Sequence, residues 1–342
     1  MAKTKYQQLS DELRKDILTG KYSVGQRLPS ENELVAQTHF SRQTVRQAMD
    51  VLEREGLTTR IRGSGTYVKT GRQHRQRTNN IAVVTTYIGE YIFPAILHGI
   101  DHVLAKKGYT SLLAATRNRV DNERKILLDF LDKPIDGMIV EGTKTALPNP
   151  NIDLYEQFEK KGIPLVFING FYPDLKSPVY VVADDRAGGR SGCQWLIEKG
   201  HRNIAAIFKS DDIQGHRRYA GYSEALRDAG LSVDDDHVLW YVTENRDALI
   251  DSHCRQILEG CTALLCYNDE VALRALRLLG PDAEKVEIVS FDHSTIAALA
   301  SPAFFSLSNP KEKLGRLAAE KLMNLLDGQA ETPTVLPWSI EE

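Results

Sequence analysis

Two sets of side chains in this sequence carry recognisable chemistry. The first is the run Ser41-Arg42-Gln43-Thr44-Val45-Arg46. Arginine can grip guanine O6 and N7 through two parallel N–H bonds, and glutamine can do the same to adenine, so Arg42, Gln43 and Arg46 are candidate major-groove readers. Ser41 and Thr44 stand where a helix start would hold phosphate. At about 100° per residue, Gln43, Arg46, Gln47 and Asp50 share one helix face, and Val45, Ala48, Met49 and Leu52 share the opposite one. Further on, Gly63 and Gly65 would let a loop tip approach a narrow groove closely, with Arg62 supplying charge. The second set is dispersed and follows apolar runs: Tyr87 and Tyr91, then Glu141, Asn169 and Asp184, then Arg217, Arg218, Asn268, Asp269, Asp292 and His293. Carboxylates, amides and guanidinium groups among aromatic rings suit a small polyhydroxylated ligand, whose vicinal hydroxyls bond in pairs while tyrosine covers its C–H face. Glu141, Asp184 and Asp292 would repel an anion. The alternative for Asp184-Asp185 and Asn268-Asp269 is that they cap the next helices in the chain.

Elements must position these residues. Tyr6, Leu9, Leu13 and Ile17 recur at intervals of three and four, which predicts a helix, with Gly20 as its stop. Ser30 and Glu33 form a capping-box pattern for a second helix ending near His39. Ser41 is a good N-cap for a third, running to Gly56. Leu57–Ile61 and Thr66–Val68 then flank the glycine tip and read as a hairpin. Three helices and a hairpin describe a winged helix-turn-helix over residues 1–70. Residues 71–80 are expected to be a cation-rich linker, and residues 81–342 a separate body. Strands are predicted near 81–87, 110–116, 136–142, 164–169, 179–183, 203–209, 238–242, 263–268 and 286–291. Helices fill the gaps. Such alternation predicts an α/β fold of parallel sheets with helices on both faces, as one large sheet or as two lobes. Ligands in such folds sit beyond the carboxyl ends of the strands, where the second set of residues lies. The stretches after Asp292 and around Pro302–Pro310 lack a period and are expected to carry chain between lobes.

At 342 residues the chain exceeds one ordinary core, so two or more domains are expected. With 42% hydrophobic and 26% charged residues, disordered and fibrous classes are excluded. The net charge of -3 hides an asymmetry: residues 1–78 carry 15 Lys and Arg against 8 Asp and Glu, and the remainder 28 against 38. A basic head on an acidic body fits a polyanion partner for the head alone. The longest apolar runs, Ile81–Val84 and Ile204–Phe208, fall far short of the roughly 18–20 residues of a membrane helix, and no leader pattern opens the chain, so a cytoplasmic location is expected. Cys193, Cys254, Cys261 and Cys266 show no metal-like spacing and are expected to be idle thiols. No P-loop, GxGxxG, HExxH or GxSxG is present, and His293 beside Asp292 lacks a nucleophile or metal set, so neither a cofactor nor a metal nor catalysis is expected. An enzyme acting on a small sugar is the rival class.

Two resemblances sharpen this reading. Leu28-Pro29-Ser30-Glu31-Asn32-Glu33-Leu34, the Ser41–Arg46 run and Gly63-Ser64-Gly65-Thr66-Tyr67-Val68 resemble the signature of the GntR-family DNA-binding domain over residues 5–68. The resemblance implies DNA-contact or contact-positioning roles for Lys5, Ser30, Glu31, Arg42, Gln43, Arg46, Arg62, Gly63 and Thr66, with Glu31 orienting an arginine. Val182–Gly189, Arg218–Tyr222, Tyr267–Ala272 and Phe291-Asp292 resemble landmarks of the LacI/GalR effector domain over about residues 80–328. This implies two lobes, ligand in the cleft held by Arg218, Asn268 and Asp292, and homodimerisation through the body. The pairing of the two, with the strings Thr85–Pro94, Val140–Lys144, Asn149–Ile152 and Lys209–Gly215, resembles the arabinose repressors of Gram-positive bacteria. That implies a dimer on double-stranded operator DNA, released by L-arabinose; another pentose or a small polyol is the alternative effector. The sequence departs from that family in its tail, which ends soon after Thr334–Trp338, short of the family's final strand and basic extension.

Overall fold

The computed structural model describes residues 4–18, 21–23, 25–69 and 77–340, so the expected stop at Gly20 and most of the expected linker lie outside the described residues. The chain divides into two compact units, residues 1–77 and 78–342. In the first, α1 (Lys5–Leu18), α2 (Glu31–Thr38) and α3 (Arg42–Arg54) precede a hairpin of β1 (Thr58–Ile61) and β2 (Gly65–Val68). The capping box forms: Glu33 N–H donates to Ser30 Oγ at 3.3 Å, and Ser30 N–H donates to Glu33 Oε2 at 2.6 Å. Left-handed His39 closes α2, and Ser41 Oγ then accepts from Thr44 N–H to open α3. The core joins Leu9, Leu13 and Ile17 of α1 to Leu34, to Val45, Ala48, Met49 and Leu52 of α3, and to Val68. The two strands pair antiparallel, Thr58 opposite Val68 and Ile61 opposite Gly65.

The second unit alternates strands and helices: β3 (Asn80–Thr85), α4 (Phe93–Lys106), β4 (Thr110–Ala115), α5 (Val120–Asp132), β5 (Gly137–Glu141), α6 (Ile152–Lys160), β6 (Leu165–Ile168), β7 (Tyr180–Ala183), α7 (Asp185–Glu198), β8 (Ile204–Lys209), α8 (Ile213–Asp228), β9 (Val238–Tyr241), α9 (Arg246–Ile257), β10 (Ala263–Cys266), α10 (Asp269–Leu279), β11 (Glu287–Phe291), α11 (Thr295–Ala298), β12 (Phe305–Leu307), α12 (Lys311–Leu326) and β13 (Thr334–Leu336). The strands form two sheets rather than one, in the orders β13-β7-β6-β5-β3-β4 and β12-β11-β10-β8-β9. Every pairing in them is parallel. Runs such as Ile81–Val84 and Ala263–Cys266 are buried throughout, as strands covered by helices on both faces must be.

Two differences from the sequence reading concern the ends of this unit. Thr78 to Asn80 belong to the body, not to a linker: the backbone N–H groups of Thr78 and Asn79 both donate to Asp136 at 2.9 Å, and β3 begins at Asn80. The short tail nonetheless supplies a strand, β13, beside β7. Chain crosses between the lobes at residue 184, near 308–310 and after Leu336. There Asp184 N–H donates to Leu336 O at 2.8 Å, and Ser308 and Ser339 exchange backbone bonds at 2.9 and 2.8 Å. The period-free stretch around Pro302–Pro310 thus holds β12 and the second crossing, and α12 returns to the first lobe, where Leu314, Ala318 and Leu322 pack on Ile96, Ile100 and Leu104 of α4.

Helices α7 and α8 meet backbone to backbone through glycine. A Cβ at Gly221 would lie 2.0 Å from Arg186 O, and one at Gly189 would lie 2.0 Å from Arg218 O. Gly221→Ala should therefore destabilise the body by about 2–3 kcal/mol, seen as a melting midpoint lower by several degrees. Gly89→Ala, where nothing lies within 4 Å, should melt as wild type. An unchanged midpoint in Gly221→Ala would contradict the close approach. Burial pushes the Cys193 thiol up to about 12 and Cys254 up to about 11, so neither is a thiolate at neutral pH. Among the described residues no helix is long and apolar enough to cross a membrane.

Candidate functional site

In the head, α3 buries Val45, Ala48, Met49 and Leu52 and leaves Arg42, Gln43, Arg46 and Gln47 exposed. Glu31, at the start of α2, faces this row. Arg46 donates from Nε and Nη2 to its two oxygens at 3.3 and 3.4 Å, and Arg42 Nε stands 3.7 Å away. Arg60 of β1, missed in the sequence, joins the same group, 2.7 Å from Asp50 and 3.9 Å from Glu31. The other predicted positions serve locally. Ser30 Oγ caps α2, and the hydroxyls of Ser41 and Thr44 lie 2.8 Å apart at the start of α3. Lys5 opens α1 with its ammonium 5.8 Å from the Phe40 ring centroid. At the hairpin tip Arg62 is exposed, Gly63 has φ +79°, and a Cβ on Gly65 would meet Arg27 Nε at 2.6 Å. Thr66 pairs with Arg60 in the ladder. A row of exposed long donors on a capped helix, beside a glycine-tipped hairpin, is a surface that can enter a DNA groove.

In the body, a cavity of about 240 Å³ lies between the carboxyl ends of the two sheets. Seven of the eleven predicted ligand residues line it: Tyr87, Tyr91, Glu141, Asn169, Arg218, Asn268 and Asp292. Glu141, at the end of β5, accepts from Thr86 N–H at 2.7 Å and Thr86 Oγ1 at 2.5 Å on one oxygen, and from Asn169 Nδ2 at 2.8 Å on the other. Burial nevertheless raises its carboxyl above the ordinary range. Opposite, Tyr91 Oη donates to Asp292 Oδ2 at 2.5 Å and accepts from Asp269 N–H at 3.2 Å. Fully buried Arg218 donates from Nε to Asp185 Oδ1 at 2.9 Å and from Nη1 to Tyr267 O. Its guanidinium stacks among Tyr267, Phe291 and Trp338 at 4.4–4.9 Å. Burial works against that charge, but Asp185 and Asp292 outweigh it and hold Arg218 protonated. Tyr91, Asn169 and Asp292 all have left-handed backbones, at φ 56°, 60° and 95°. Such strain in non-glycine residues persists where the surrounding fold imposes it, and it clusters at functional sites.

The remaining four candidates do not line the cavity. Asp184 spends Oδ1 on Ala187 N–H at 3.0 Å as the cap of α7. Asp269 is buried behind the cleft, where Ser294 N–H and the hydroxyls of Ser290, Ser294 and Ser306 occupy both its oxygens. Arg217 lies over the Phe171 ring at 5.5 Å. His293 is exposed, its N–H bound to Ser306 Oγ. Asn268 does both jobs: its Oδ1 caps α10 at 3.1 Å from Val271 N, which leaves Nδ2 for the cavity. Lys209, Asp212, Gln214, Tyr241, Thr243 and Arg246 also line the cavity and were missed in the sequence. They stand at or shortly beyond the carboxyl ends of β8 and β9, the same kind of position that marked Glu141 and Asn169 in the first lobe. Of the charged lining, five are carboxylates (Glu90, Glu141, Asp212, Glu270, Asp292) and three are cations (Lys209, Arg218, Arg246).

A winged-helix head joined to a two-lobed body with a polar cleft defines a ligand-responsive DNA-binding regulator. Residues 5–68 match the bacterial regulatory proteins of the gntR family, and residues 193–341 match the periplasmic binding protein-like domain. The chain is 37% identical over 333 residues to the arabinose metabolism transcriptional repressor of Geobacillus stearothermophilus, covering 94% of this chain and 91% of that one. It is 34% identical over 337 residues to the repressor of the same name from Halalkalibacterium halodurans, covering 95% and 90%. The crystal structure of transcription regulator CcpA of Lactococcus lactis superposes with a TM-score of 0.69 at 26% identity, over 78% of this chain and 98% of that one. The chain belongs to the family of arabinose metabolism transcriptional repressors. It is a sugar-responsive transcriptional repressor, not an enzyme.

Proposed function

We propose that the effector is L-arabinose, bound in the cleft between the lobes, and that its binding releases a homodimer from operator DNA. The observation that carries this reading is the lining itself. Glu141, Asn169, Asn268, Asp292 and Arg218 offer paired donors and acceptors for vicinal hydroxyls, with Tyr87 and Tyr91 beside them. An excess of carboxylates disfavours an anionic ligand. A cavity of about 240 Å³ is smaller than sites for drug-sized ligands and suits a monosaccharide. The names of the two bacterial relatives favour arabinose among monosaccharides.

In the head, Arg42, Gln43 and Arg46 read base edges, Glu31 orients Arg46 and Arg42, and Ser41, Thr44, Lys5, Arg62, Gly63 and Thr66 place the helix and wing on the backbone. A dimer sets the separation of two half-sites, and effector favours a body arrangement in which the heads lose it. A thousandfold loss of operator affinity requires about 4 kcal/mol of coupling, the worth of three or four hydrogen bonds made in one state only.

Thermal unfolding of the full-length protein against pentoses, hexoses, nucleosides and sugar phosphates tests the effector. L-Arabinose at a hundred times its dissociation constant should add about 2.7 kcal/mol, a shift of several degrees. A different stabilising sugar would replace L-arabinose, and stabilisation by none would remove the cleft as a sugar site.

A further inference from the structure

Along one rim of the cleft the lobes are joined by residues outside the proposed sugar contacts. From the first lobe come Asn118 and the loop after β5; from the second come the β8–α8 turn and the segment after β9. Asn118 Nδ2 donates to Thr243 Oγ1 at 2.6 Å, Ile213 N–H donates to Thr145 Oγ1 at 3.1 Å, and Ala146 N–H donates to Asp211 O at 3.2 Å. At the centre, Lys144 Nζ lies 2.6 Å from Glu244 Oε1 and 3.5 Å from Asp211 Oδ2.

Asp211 makes this more than a surface ion pair. It is fully buried, and its Oδ2 accepts from Thr243 N–H at 3.0 Å and Thr243 Oγ1 at 2.8 Å. Its Oδ1 has no hydrogen-bond partner among the described residues, and Lys209 of its own lobe stands 3.8 Å away. The counter-charge for a buried carboxylate of the second lobe is therefore shared between the lobes, with Lys144 of the first on one oxygen and Lys209 of the second on the other. A buried charge that loses its partner is costly, whereas an exposed pair contributes little.

The first lobe is built to present that lysine. Lys144 sits at φ 47°, and its N–H donates to Asn118 Oδ1 at 2.9 Å. The preceding Thr143 N–H donates to Tyr172 Oη at 2.6 Å. Tyr172 Oη in turn donates to Glu123 Oε1 at 2.5 Å. Fully buried Glu123 also accepts from Asn149 Nδ2, Asn151 Nδ2 and Tyr155 Oη, each at 2.8 Å. One carboxylate thus pins both ends of the loop that carries Lys144. The rim and the cavity also share backbone: Thr145 and Thr243 line the cavity, as do Lys209 and Asp212 on either side of Asp211.

We propose that Lys144 and Asp211 form a charge latch that holds the lobes closed over the effector, so that Lys144 sets the effector concentration needed for release without touching the effector. This rests on the sugar reading of the cleft. Lys144 is a positioning residue, and its substitution should move the effector response and leave sugar-free DNA affinity unchanged.

The test compares wild type with Lys144→Met, Lys144→Arg and Glu244→Gln in the full-length protein, using calorimetric titration with L-arabinose and melting without sugar. Lys144→Met should weaken L-arabinose binding about tenfold or more, and Glu244→Gln, on the exposed partner, by about threefold. Lys144→Arg should restore most of the affinity. Sugar-free DNA affinity should match wild type in all three, and sugar-free melting should match wild type in Lys144→Arg and Glu244→Gln; a modest fall in the Lys144→Met midpoint is expected from unpairing Asp211. Equal L-arabinose affinity in wild type and Lys144→Met would overturn the latch, as would a Lys144→Arg variant as weak as Lys144→Met. Wild-type protein that took up no L-arabinose would overturn the effector reading and the latch together.

Discussion

Arg218→Ala is expected to cost the body about 3–5 kcal/mol of stability and to abolish the response to effector. Arg218 is among the largest fully buried side chains of the described residues, and it both lines the cleft and neutralises Asp185 beneath it. With the guanidinium gone, Asp185 would be buried without a counter-charge, and one of its oxygens already lacks a hydrogen bond. Burial pushes the Asp185 carboxyl up to about 6 even with Arg218 pulling it down. A carboxyl whose folded pKa lies above its unfolded value stabilises the fold when protonated and loses that contribution as pH rises through the interval between the two. The damage in Arg218→Ala should therefore be smaller at pH 5 than at pH 8, which melting at the two pH values measures. The structural and ligand-binding roles separate in Asp185→Asn/Arg218→Met, which removes both charges together. That variant should regain most of the stability and still show no stabilisation by sugar. If it bound sugar normally, Arg218 would be confined to holding the fold.

The second large effect falls on the head. Arg42→Ala and Arg46→Ala should each weaken operator binding by about 1–3 kcal/mol, or roughly fivefold to 150-fold, while stabilisation of the protein by sugar stays at the wild-type value. Both guanidinium groups are exposed on α3, so their loss leaves the core of Leu9, Val45 and Leu52 intact. Fluorescence anisotropy on labelled DNA measures the first quantity and melting the second. Loss of both functions would indicate misfolding, and unchanged DNA affinity would remove these residues from the interface. Glu31→Gln adds a finer check: it keeps the size of the side chain that Arg46 grips but removes the charge, so it should change base preference more than affinity.

The head was legible because its signals are local. The caps at Ser30 and Ser41 and the stripe from Val45 to Leu52 each lie within one or two helical turns, and no distant residue competes with them. In the body the order of strands and helices could also be read, since parallel strands buried on both faces form continuous apolar runs. Division into two sheets could not, because parallel runs look alike whichever neighbour they take. Strands β12 and β13, at three residues each, are too short to show any alternation. The cleft residues were found by position after strands, and position alone cannot show rotation. Arg217 and Arg218 are successive residues of α8, about 100° apart, so only one can face the cavity. Asp292 and His293 are likewise adjacent, and the left-handed turn at both sends the carboxylate inward while the ring stays outside. Asp269 satisfies the same sequence pattern but is drawn behind the cleft by Ser290, Ser294 and Ser306, a network that forms only once β11 and β12 lie side by side.

Release of head-bound DNA by a sugar in the body is the expected behaviour of the full-length protein. Its most direct test takes the full-length protein on a DNA fragment selected for binding from a random-sequence pool and follows anisotropy as L-arabinose is added. Release is predicted, with DNA affinity falling about a thousandfold at saturating sugar. Undiminished DNA binding, at a sugar concentration that melting shows to occupy the cleft, would contradict it.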